Sequence, residues 1–499
     1  MFKYIIIIYS LFTTAILVIL YHKSEKIIKN NKTRLPHIIK IIGVKKYFSV
    51  IIILIPFFLV SYRVFYYFPS FGEIDTSAYL YDAIQIERVG GIDPYDMRED
   101  VYYKGFPIFT LIIVIFKMAT SASIFQVYIL LNLLYVLLFL IWSYIIYKYL
   151  FQKNLVYALV LPLTILGNPY LLASLHYFIP YLLSLTANIL FIYLLLRFSK
   201  LKNSRAYIIT YFLINLLCLN HAELLYFSIL ILLISVFSRF FDSKELSIEF
   251  IILPWVIFWF YIFFNVLFII RLRVFWEALI LNLQSIFNRS VQMIRIESLE
   301  HPYPYINAFA YSINISVTLC ISLMYIVTLL KGKRIKQISD LLFNILALFL
   351  SFCYFLGVLW QFYGLTELGN TLMYTYITAF LLSPVVCLYY IKKVAICHWH
   401  VIFFICLLII GVFGSLTEPL AMPDQNNSYF LTMSKFNQAK SMAHYLCSFC
   451  NEAITIYISS SKIIPYLDIL CMHSAKIIFN LQLEYNSRVL DLGNLSIFT

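Results

Sequence analysis

The fold of this chain is decided by residues 71–107, FGEIDTSAYLYDAIQIERVGGIDPYDMREDVYYKGFP, which lie between two long apolar runs. Those runs are rich in Ile, Leu, Phe and Tyr, as helices inside a bilayer are. Acidic residues in a loop at a membrane surface are candidates for handling protons, metal ions or sugar hydroxyls. Eight of the chain's 24 acidic residues fall in this acidic segment: Glu73, Asp75, Asp82, Glu87, Asp93, Asp96, Glu99 and Asp100.

The composition of the whole chain is that of a membrane protein. Of its 499 residues, 62% are hydrophobic and 12% are charged, and many windows of about 18 residues carry no charge. A net charge of +13 would suggest nucleic-acid binding in a soluble chain, but Lys and Arg cluster here in short connections between apolar runs. The sequence therefore predicts a multi-pass integral membrane protein and no nucleic-acid partner.

The distribution of basic residues predicts the topology. The first span, 4–21, is followed by a basic loop that should be cytoplasmic, so the next span, 47–68, runs outward and the acidic segment faces the exterior. Later basic connections near 197–205, 331–336 and 392–393 reach the cytoplasm only if the apolar run 106–117 does not cross. About a dozen residues span only ~18 Å of a ~30 Å core. We therefore expect a half-buried or surface-lying helix within an external loop, 69–123.

The remaining apolar runs predict an all-α polytopic bundle of roughly 11–13 spans with a small external α/β module at the C-terminus. Three parts are expected: an extra N-terminal span with its basic cytoplasmic loop (1–46), a catalytic bundle (47–415) and the external module (416–499). The later spans fall at 124–149, 155–166, 177–196, 205–239 as a broken hairpin, 248–270, 306–330, 338–360, 372–391 and 399–415.

Within the acidic segment, Glu73 and Asp75 come first after the span. Two carboxylates at this spacing can share a metal ion or divide into a base and a helper, and proximity to a low-dielectric boundary tends to raise a carboxylate's pKa. The other acids are interpreted as solvated loop residues that cap helices or pair with Arg88 and Arg98. That interpretation covers Asp82, Glu87, Asp96, Glu99 and Asp100.

The pattern of the segment has a likeness among known enzymes. It runs Asp75-Thr-Ser-Ala-Tyr79, then Gly91-Ile-Asp-Pro94-Tyr95, then Tyr102-Tyr-Lys-Gly-Phe-Pro107. This resembles the first external loop of the GT-C superfamily of polytopic glycosyltransferases, which use sugars attached to polyprenyl phosphate and include dolichyl-phosphate-mannose-dependent mannosyltransferases. There, an Asp follows the span, a Tyr lies one helical turn on, and a Gly-x-x-Pro-Tyr turn precedes a short apolar helix. The resemblance is strongest over residues 68–118.

The resemblance implies a function on the external face of a plasma membrane, such as the inner membrane of a bacterium. Asp75 would be the general base, Glu73 would assist it, orient the acceptor or bind a divalent cation, and Tyr79 and Tyr95 would contact donor or acceptor. The implied partners are a polyprenyl-phosphate-linked sugar and a hydroxyl of a glycan, lipid or protein. No other cofactor is implied.

The sequence departs from that family in two places. Many relatives carry a second carboxylate in the next external loop, where this chain has Asn168 and His176; His176 could face the phosphate or be an ordinary interfacial residue. In the broken hairpin, His221 and Glu223 could line the donor site, or they could satisfy each other and the interrupted backbone.

Two further features concern anion and metal binding. Arg271 and Arg273 lie at the start of the predicted external loop 271–305, against the positive-inside trend, and either the phosphate of a lipid-linked donor or ordinary lipid head groups would explain them. Cys447 and Cys450 have the spacing of half a zinc site, but no second pair accompanies them, so no metal site is predicted there.

Two other functions fit the composition. An O-antigen or polysaccharide polymerase or ligase would rely on arginines and a histidine in a late external loop, for which 271–305 is a candidate. A lipid-linked glycan flippase or transporter would also have many spans, but the sequence shows neither an internal repeat nor matched broken spans in two halves.

Overall fold

The computed structural model describes the chain in ranges separated by gaps. The main ranges are 11–20, 46–66, 108–151, 160–168, 304–331, 343–352, 383–394 and 398–416, with single positions at 8–9, 22, within 79–90 and 171–193, and at 280, 340–341 and 441. All regular structure in these ranges is helical, so the all-α part of the fold prediction is confirmed for them. In chain order the helices are α1 (Leu11–Leu20), α2 (Lys46–Tyr66), α3 (Ile108–Thr120), α4 (Ile124–Phe151), α5 (Val160–Leu166), α6 (Pro304–Leu330), α7 (Phe343–Phe352), α8 (Ser383–Val394) and α9 (His398–Leu416).

Two stretches within these ranges are long and apolar enough to cross a membrane. They are Ile124–Leu150 in α4 and Ser312–Leu330 in α6, and they coincide with the predicted spans 124–149 and 306–330. Shorter apolar helices include α1, α3 and α7. The predicted external module, 416–499, lies outside the described residues except at Leu416 and Ser441, and so do the predicted hairpin 205–239 and span 248–270.

The run predicted to be a short surface helix forms α3. Its 13 residues extend about 20 Å, which is less than the ~30 Å of a hydrocarbon core. One face is buried, while Ile115 and Met118 on the other side are exposed. The helix therefore has one face packed against the protein and one exposed face.

The corner between α3 and α4 is built by hydroxyl groups. Thr120 Oγ1 donates to the Phe116 carbonyl oxygen at 2.7 Å, and Ser121 takes a positive φ of 52° that turns the chain. At the start of α4, the Ser123 N–H donates to Gln126 Oε1 at 2.9 Å, and the Gln126 N–H donates to Ser123 Oγ at 3.4 Å. This reciprocal capping box satisfies amides that the first turn of a helix leaves without partners.

The chain divides into two compact units. The first comprises Met1–Val60, Leu134–Leu175 and Pro180–Met422, and the second comprises Ser61–Leu133, His176–Ile179 and Pro423–Thr499. The described helices α1 and α5 to α9 belong to the first unit, and α3 belongs to the second with the helical residues of 79–87.

In the first unit, α6 and α9 are antiparallel, and two glycines of α9 lie at their contact. A Cβ added to Gly414, late in α9, would lie 2.6 Å from the Ile306 carbonyl oxygen early in α6. A Cβ added to Gly411, one turn earlier in α9, would lie 3.1 Å from Ile313 Cδ1, further along α6. Small residues allow this approach of two backbones, which strengthens dispersion contacts between membrane helices.

The N-terminal helix packs on α6 in the same direction. The ring of Tyr9, just ahead of α1, meets the Phe309 ring edge-on at a centroid distance of 5.9 Å. Further along both helices, Thr14 Oγ1 lies 3.5 Å from the Ser316 carbonyl oxygen. From the first contact to the second, the residue number increases in both helices, so α1 and α6 run parallel.

Helix α8 also runs parallel to α6. The Cys387 thiol donates to Asn314 Oδ1 at 3.2 Å. Three residues further along α8 and six further along α6, the Tyr390 hydroxyl lies 3.6 Å from Cys320 Sγ. Helices α6 and α7 are joined by the Ser322 and Ser351 hydroxyls, 2.7 Å apart. These polar side chains thus find partners on neighbouring helices, which offsets the cost of burying them away from water.

Asp340, shortly before α7, joins that part of the chain to the end of α8. Its carboxylate accepts a hydrogen bond from the Tyr389 hydroxyl at 2.6 Å and lies 2.9 Å from Lys393 Nζ. The Tyr389 ring stacks on Phe343 at a centroid distance of 4.5 Å. These contacts fix α7 against α8 by charge and by aromatic packing.

Candidate functional site

The structure describes one of the predicted site residues, Tyr79. The others lie outside the described residues and stay predictions: Glu73, Asp75, Tyr95, His176, His221, Glu223, Arg271 and Arg273. The described part of the site consists of Tyr79 and its neighbours, the helical residues described between 79 and 87, which we name the acidic helix.

Tyr79 lies at the start of the acidic helix and packs against α3. Its side chain is only 4% exposed, and its ring meets Phe109 at 5.0 Å between centroids and 72° between planes. Edge-to-face contact is a favoured geometry for aromatic pairs and adds to the gain from burial. The ring of Tyr79 thus holds the acidic helix on α3.

A second contact lies near the far end of the acidic helix. Glu87 forms an ion pair with Lys117 in the last turn of α3, where a cation also complements the helix dipole. Both contact residues are eight positions further along their helices than Tyr79 and Phe109. The acidic helix and α3 therefore run parallel, with their two contacts about 12 Å apart along the axes.

Asp82 corrects a prediction. It was expected to be a solvated loop acid, but it is helical and only 7% exposed. It shares the acidic helix with buried Tyr79, Leu80, Ala83 and Ile84, so the apolar packing of that helix carries the carboxylate inward with it. The spacing of those four residues was a usable signal of a buried helical face.

Glu87 is exposed, as predicted for a solvated acid, and the partner that the structure assigns to it is Lys117. Sequence reasoning missed Lys117 and Phe109 as members of this region. The available signal for Phe109 and Lys117 was the helix expected immediately after the acidic segment, because a helix there can pack on the residues that precede it.

Gly90 ends the acidic helix. Its amide donates to the Ile86 carbonyl oxygen at 2.9 Å, and its φ of +76° is the left-handed conformation that terminates many helices. Glycine adopts this conformation without the steric cost that a side chain brings. Gly90 directly precedes the Gly91-Ile-Asp-Pro94-Tyr95 motif in the sequence.

Asn168, which stands where many relatives of the resembled family carry a carboxylate, has a structural role here. Its Oδ1 accepts a hydrogen bond from the Leu171 N–H at 3.0 Å, which is the N-cap arrangement for the helical residues that follow. Before it, the Gly167 amide donates to the Leu163 carbonyl oxygen at 2.8 Å and closes α5. The asparagine side chain therefore shapes a corner between helices.

The described residues contain no group of three or more His, Cys, Asp or Glu side chains placed to hold a metal ion. Glu73 and Asp75, which were expected to bind a divalent cation if one is used, lie outside them. What the described geometry supplies is a pair of parallel helices, the acidic helix and α3, that contact each other at two points. Comparison with models of protein families finds no match to this chain, and comparison with curated proteins finds no significant similarity.

Proposed function

We propose that this chain is a multi-pass membrane glycosyltransferase that moves a sugar from a polyprenyl-phosphate donor to an acceptor hydroxyl on the external face. The observation that carries the proposal is the pattern of the acidic segment. Asp75 follows a span, Tyr79 stands one turn later, Gly91-Ile-Asp-Pro94-Tyr95 forms the next motif, and a short apolar helix follows Pro107. Its likeness to the first external loop of GT-C enzymes supports both the reaction class and the donor.

The reaction needs a base, an acceptor and a stabilised leaving group. Asp75 takes the proton of the acceptor hydroxyl as that oxygen bonds to the anomeric carbon of the sugar. The bond from the anomeric carbon to the phosphate oxygen breaks, and its electron pair leaves with the lipid phosphate. Arg271 and Arg273 are proposed to neutralise that phosphate, because one guanidinium group can donate two parallel hydrogen bonds to two phosphate oxygens.

The remaining candidates divide between donor and acceptor. Glu73 orients the acceptor or binds a divalent cation beside Asp75, while Tyr95 contacts the sugar. His176, His221 and Glu223 are proposed to line the donor side, next to the hydrocarbon region from which a polyprenyl chain must enter. The acceptor is a hydroxyl of a glycan, a lipid or a protein.

Helix directions support the proposed topology. The charge pattern sends spans 4–21, 306–330 and 372–391 inward and span 399–415 outward. The helices in those runs, α1, α6, α8 and α9, have matching relative directions: the first three are parallel, and α9 opposes α6. The half-buried α3, too short to cross, supports an external loop that extends to residue 123.

The decisive experiment replaces Asp75 by Asn in the full chain and measures sugar transfer in membranes supplied with isotopically labelled polyprenyl-phosphate hexoses. The matched control is Asp96→Asn, the same change in the same loop at a residue with no assigned role. We expect Asp75→Asn to lose about 10²-fold or more in rate, because a general base is absent, and Asp96→Asn to retain activity.

The other functions predict different results. A polymerase or ligase would tolerate Asp75→Asn and lose activity when Arg271, Arg273 or His301 is replaced. A flippase would move a lipid-linked glycan across liposome membranes without forming a glycosidic bond. Either result would overturn the proposed function.

A further inference from the structure

We propose that the last turns of α6 bind a phospholipid with an anionic head group. The binding surface, which we name the uncovered face, consists of Leu323, Ile326, Val327 and Leu330, and Lys331 follows at its end. This inference goes beyond the proposed reaction. It shares with that proposal the membrane setting and the topology, but it requires no transfer of a sugar.

The uncovered face continues the side of α6 on which the N-terminal helix packs. Phe309 and Ser316 make the contacts with the N-terminal segment, and Leu323 and Leu330 follow at the same interval of seven residues. Seven residues make nearly two helical turns, so these four positions lie along one side of α6.

The N-terminal helix covers only the first part of that side. Thr14 lies level with Ser316, and the described helical residues that follow it reach His22, about 12 Å further along the axis. Leu330 lies about 21 Å beyond Ser316. All residues of α6 from 312 to 322 are buried, whereas the four side chains of the uncovered face are 40–82% exposed.

The ends of three parallel helices lie together beside the uncovered face. Tyr390 of α8 contacts both Leu17 of α1 and Cys320 of α6, so these three residues lie at one level. Exposed basic residues follow that level in each of the three helices: His22 after α1, Lys392 and Lys393 in α8, and Lys331 after α6.

The charge at this end of the three helices is positive. Asp340 is the acid that the structure describes there, and it already binds Lys393 at 2.9 Å. The proposed topology puts this end at the cytoplasmic leaflet, where basic residues attract anionic head groups. A phospholipid fits both features, because its acyl chain covers the apolar side chains while its phosphate lies near Lys331.

The test measures lipid binding to the full chain in detergent by native mass spectrometry. The probes are phosphatidylglycerol and phosphatidylcholine with identical acyl chains, and we expect the unmodified chain to retain phosphatidylglycerol more tightly. Lys331→Gln should weaken phosphatidylglycerol binding about fivefold and leave phosphatidylcholine binding unchanged, because it removes one cation near the head group. Leu330→Ser should weaken the binding of both lipids alike, because it removes apolar contact with the acyl chain.

The matched control is Lys148→Gln, the same change at an exposed lysine in the last turn of α4. It should keep the preference for phosphatidylglycerol. All three positions are exposed, so thermal unfolding without added lipid should be the same in each variant as in the unmodified chain.

The outcomes separate this inference from the proposed function. Equal affinity of the unmodified chain for the two lipids, or equal losses in Lys331→Gln and Lys148→Gln, would overturn the lipid site alone. Tighter retention of a polyprenyl phosphate, or a dimer that Leu330→Ser dissociates, would show a different occupant and overturn it as well. Because the readout is binding, failure of the unmodified chain to transfer sugar would overturn only the proposed function.

Discussion

The Tyr390 hydroxyl donates a hydrogen bond to the backbone carbonyl oxygen of Leu17, 2.9 Å away, and so joins two helices separated by 373 residues of sequence. Both residues are buried. The N-terminal helix is therefore packed against α8 as well as α6.

Replacing Tyr390 by Phe should loosen the N-terminal helix. The change removes the hydroxyl's hydrogen bond to Leu17, and its longer contact with Cys320, while keeping the ring, so we expect a loss of about 0.5–1.5 kcal/mol in the free energy of unfolding. Thermal unfolding in detergent and hydrogen exchange of residues 11–20 would measure it.

The matched control is Tyr325→Phe in α6. The Tyr325 hydroxyl is buried and has no hydrogen-bond partner among the residues that the structure describes. Removing it should leave stability unchanged or slightly higher. Equal losses in the two variants would show that the Leu17 contact does not contribute.

Gly414→Ala should destabilise the bundle more than Gly411→Ala. A methyl group at position 414 meets the Ile306 carbonyl oxygen and the Ala310 Cβ, at 2.6 and 2.7 Å, so two helix backbones must separate. At position 411 the nearest atom is the end of the Ile313 side chain, at 3.1 Å, which can rotate away. We expect about 1–3 kcal/mol at position 414. Both unfolding temperatures should be compared; a larger fall at position 411 would contradict the packing.

Replacing Ser322 and Ser351 should have non-additive effects on the free energy of unfolding. In a double-mutant cycle with Ala, we expect an interaction of about 0.5–1 kcal/mol, because the two groups share one buried hydrogen bond. A parallel cycle of Ser316 and Ser351 is the control, since both Ser316 and Ser322 bond a carbonyl oxygen of their own helix but the 2.7 Å contact with Ser351 is made by Ser322. Coupling of equal size in both cycles would rule out a specific bond between α6 and α7.

Cysteine labelling should distinguish the proposed external loop from a crossing helix. If α3 does not cross the membrane, Ala122→Cys at the α3–α4 corner faces the exterior, and an impermeant maleimide should label it in intact cells. Lys392→Cys, exposed at the end of α8, should react only after the cells are opened. Reaction of Lys392→Cys in intact cells, with Ala122→Cys reacting only after the cells are opened, would mean that 106–117 crosses, because one added crossing inverts every later connection.

Features formed within one or two helical turns could be predicted from the sequence. The short helix after the acidic segment, its length of 13 residues and the turn at Gly90 follow from local composition. The same holds for the two apolar stretches in α4 and α6 that are long enough to cross a membrane. Apolar content, glycine conformation and capping act between near neighbours, so the printed residues contain the information.

The tertiary structure decided which groups meet. Asp82 is buried although an isolated loop acid prefers water, because the apolar face of the acidic helix carries it inward. Glu87 pairs with Lys117, Tyr79 packs on Phe109, and the Tyr390 hydroxyl bonds Leu17. Each contact requires that the two helices have the right relative direction and the right rotation about their axes. Helix direction and rotation depend on packing between residues 30 to 373 positions apart, and no local sequence pattern specifies them.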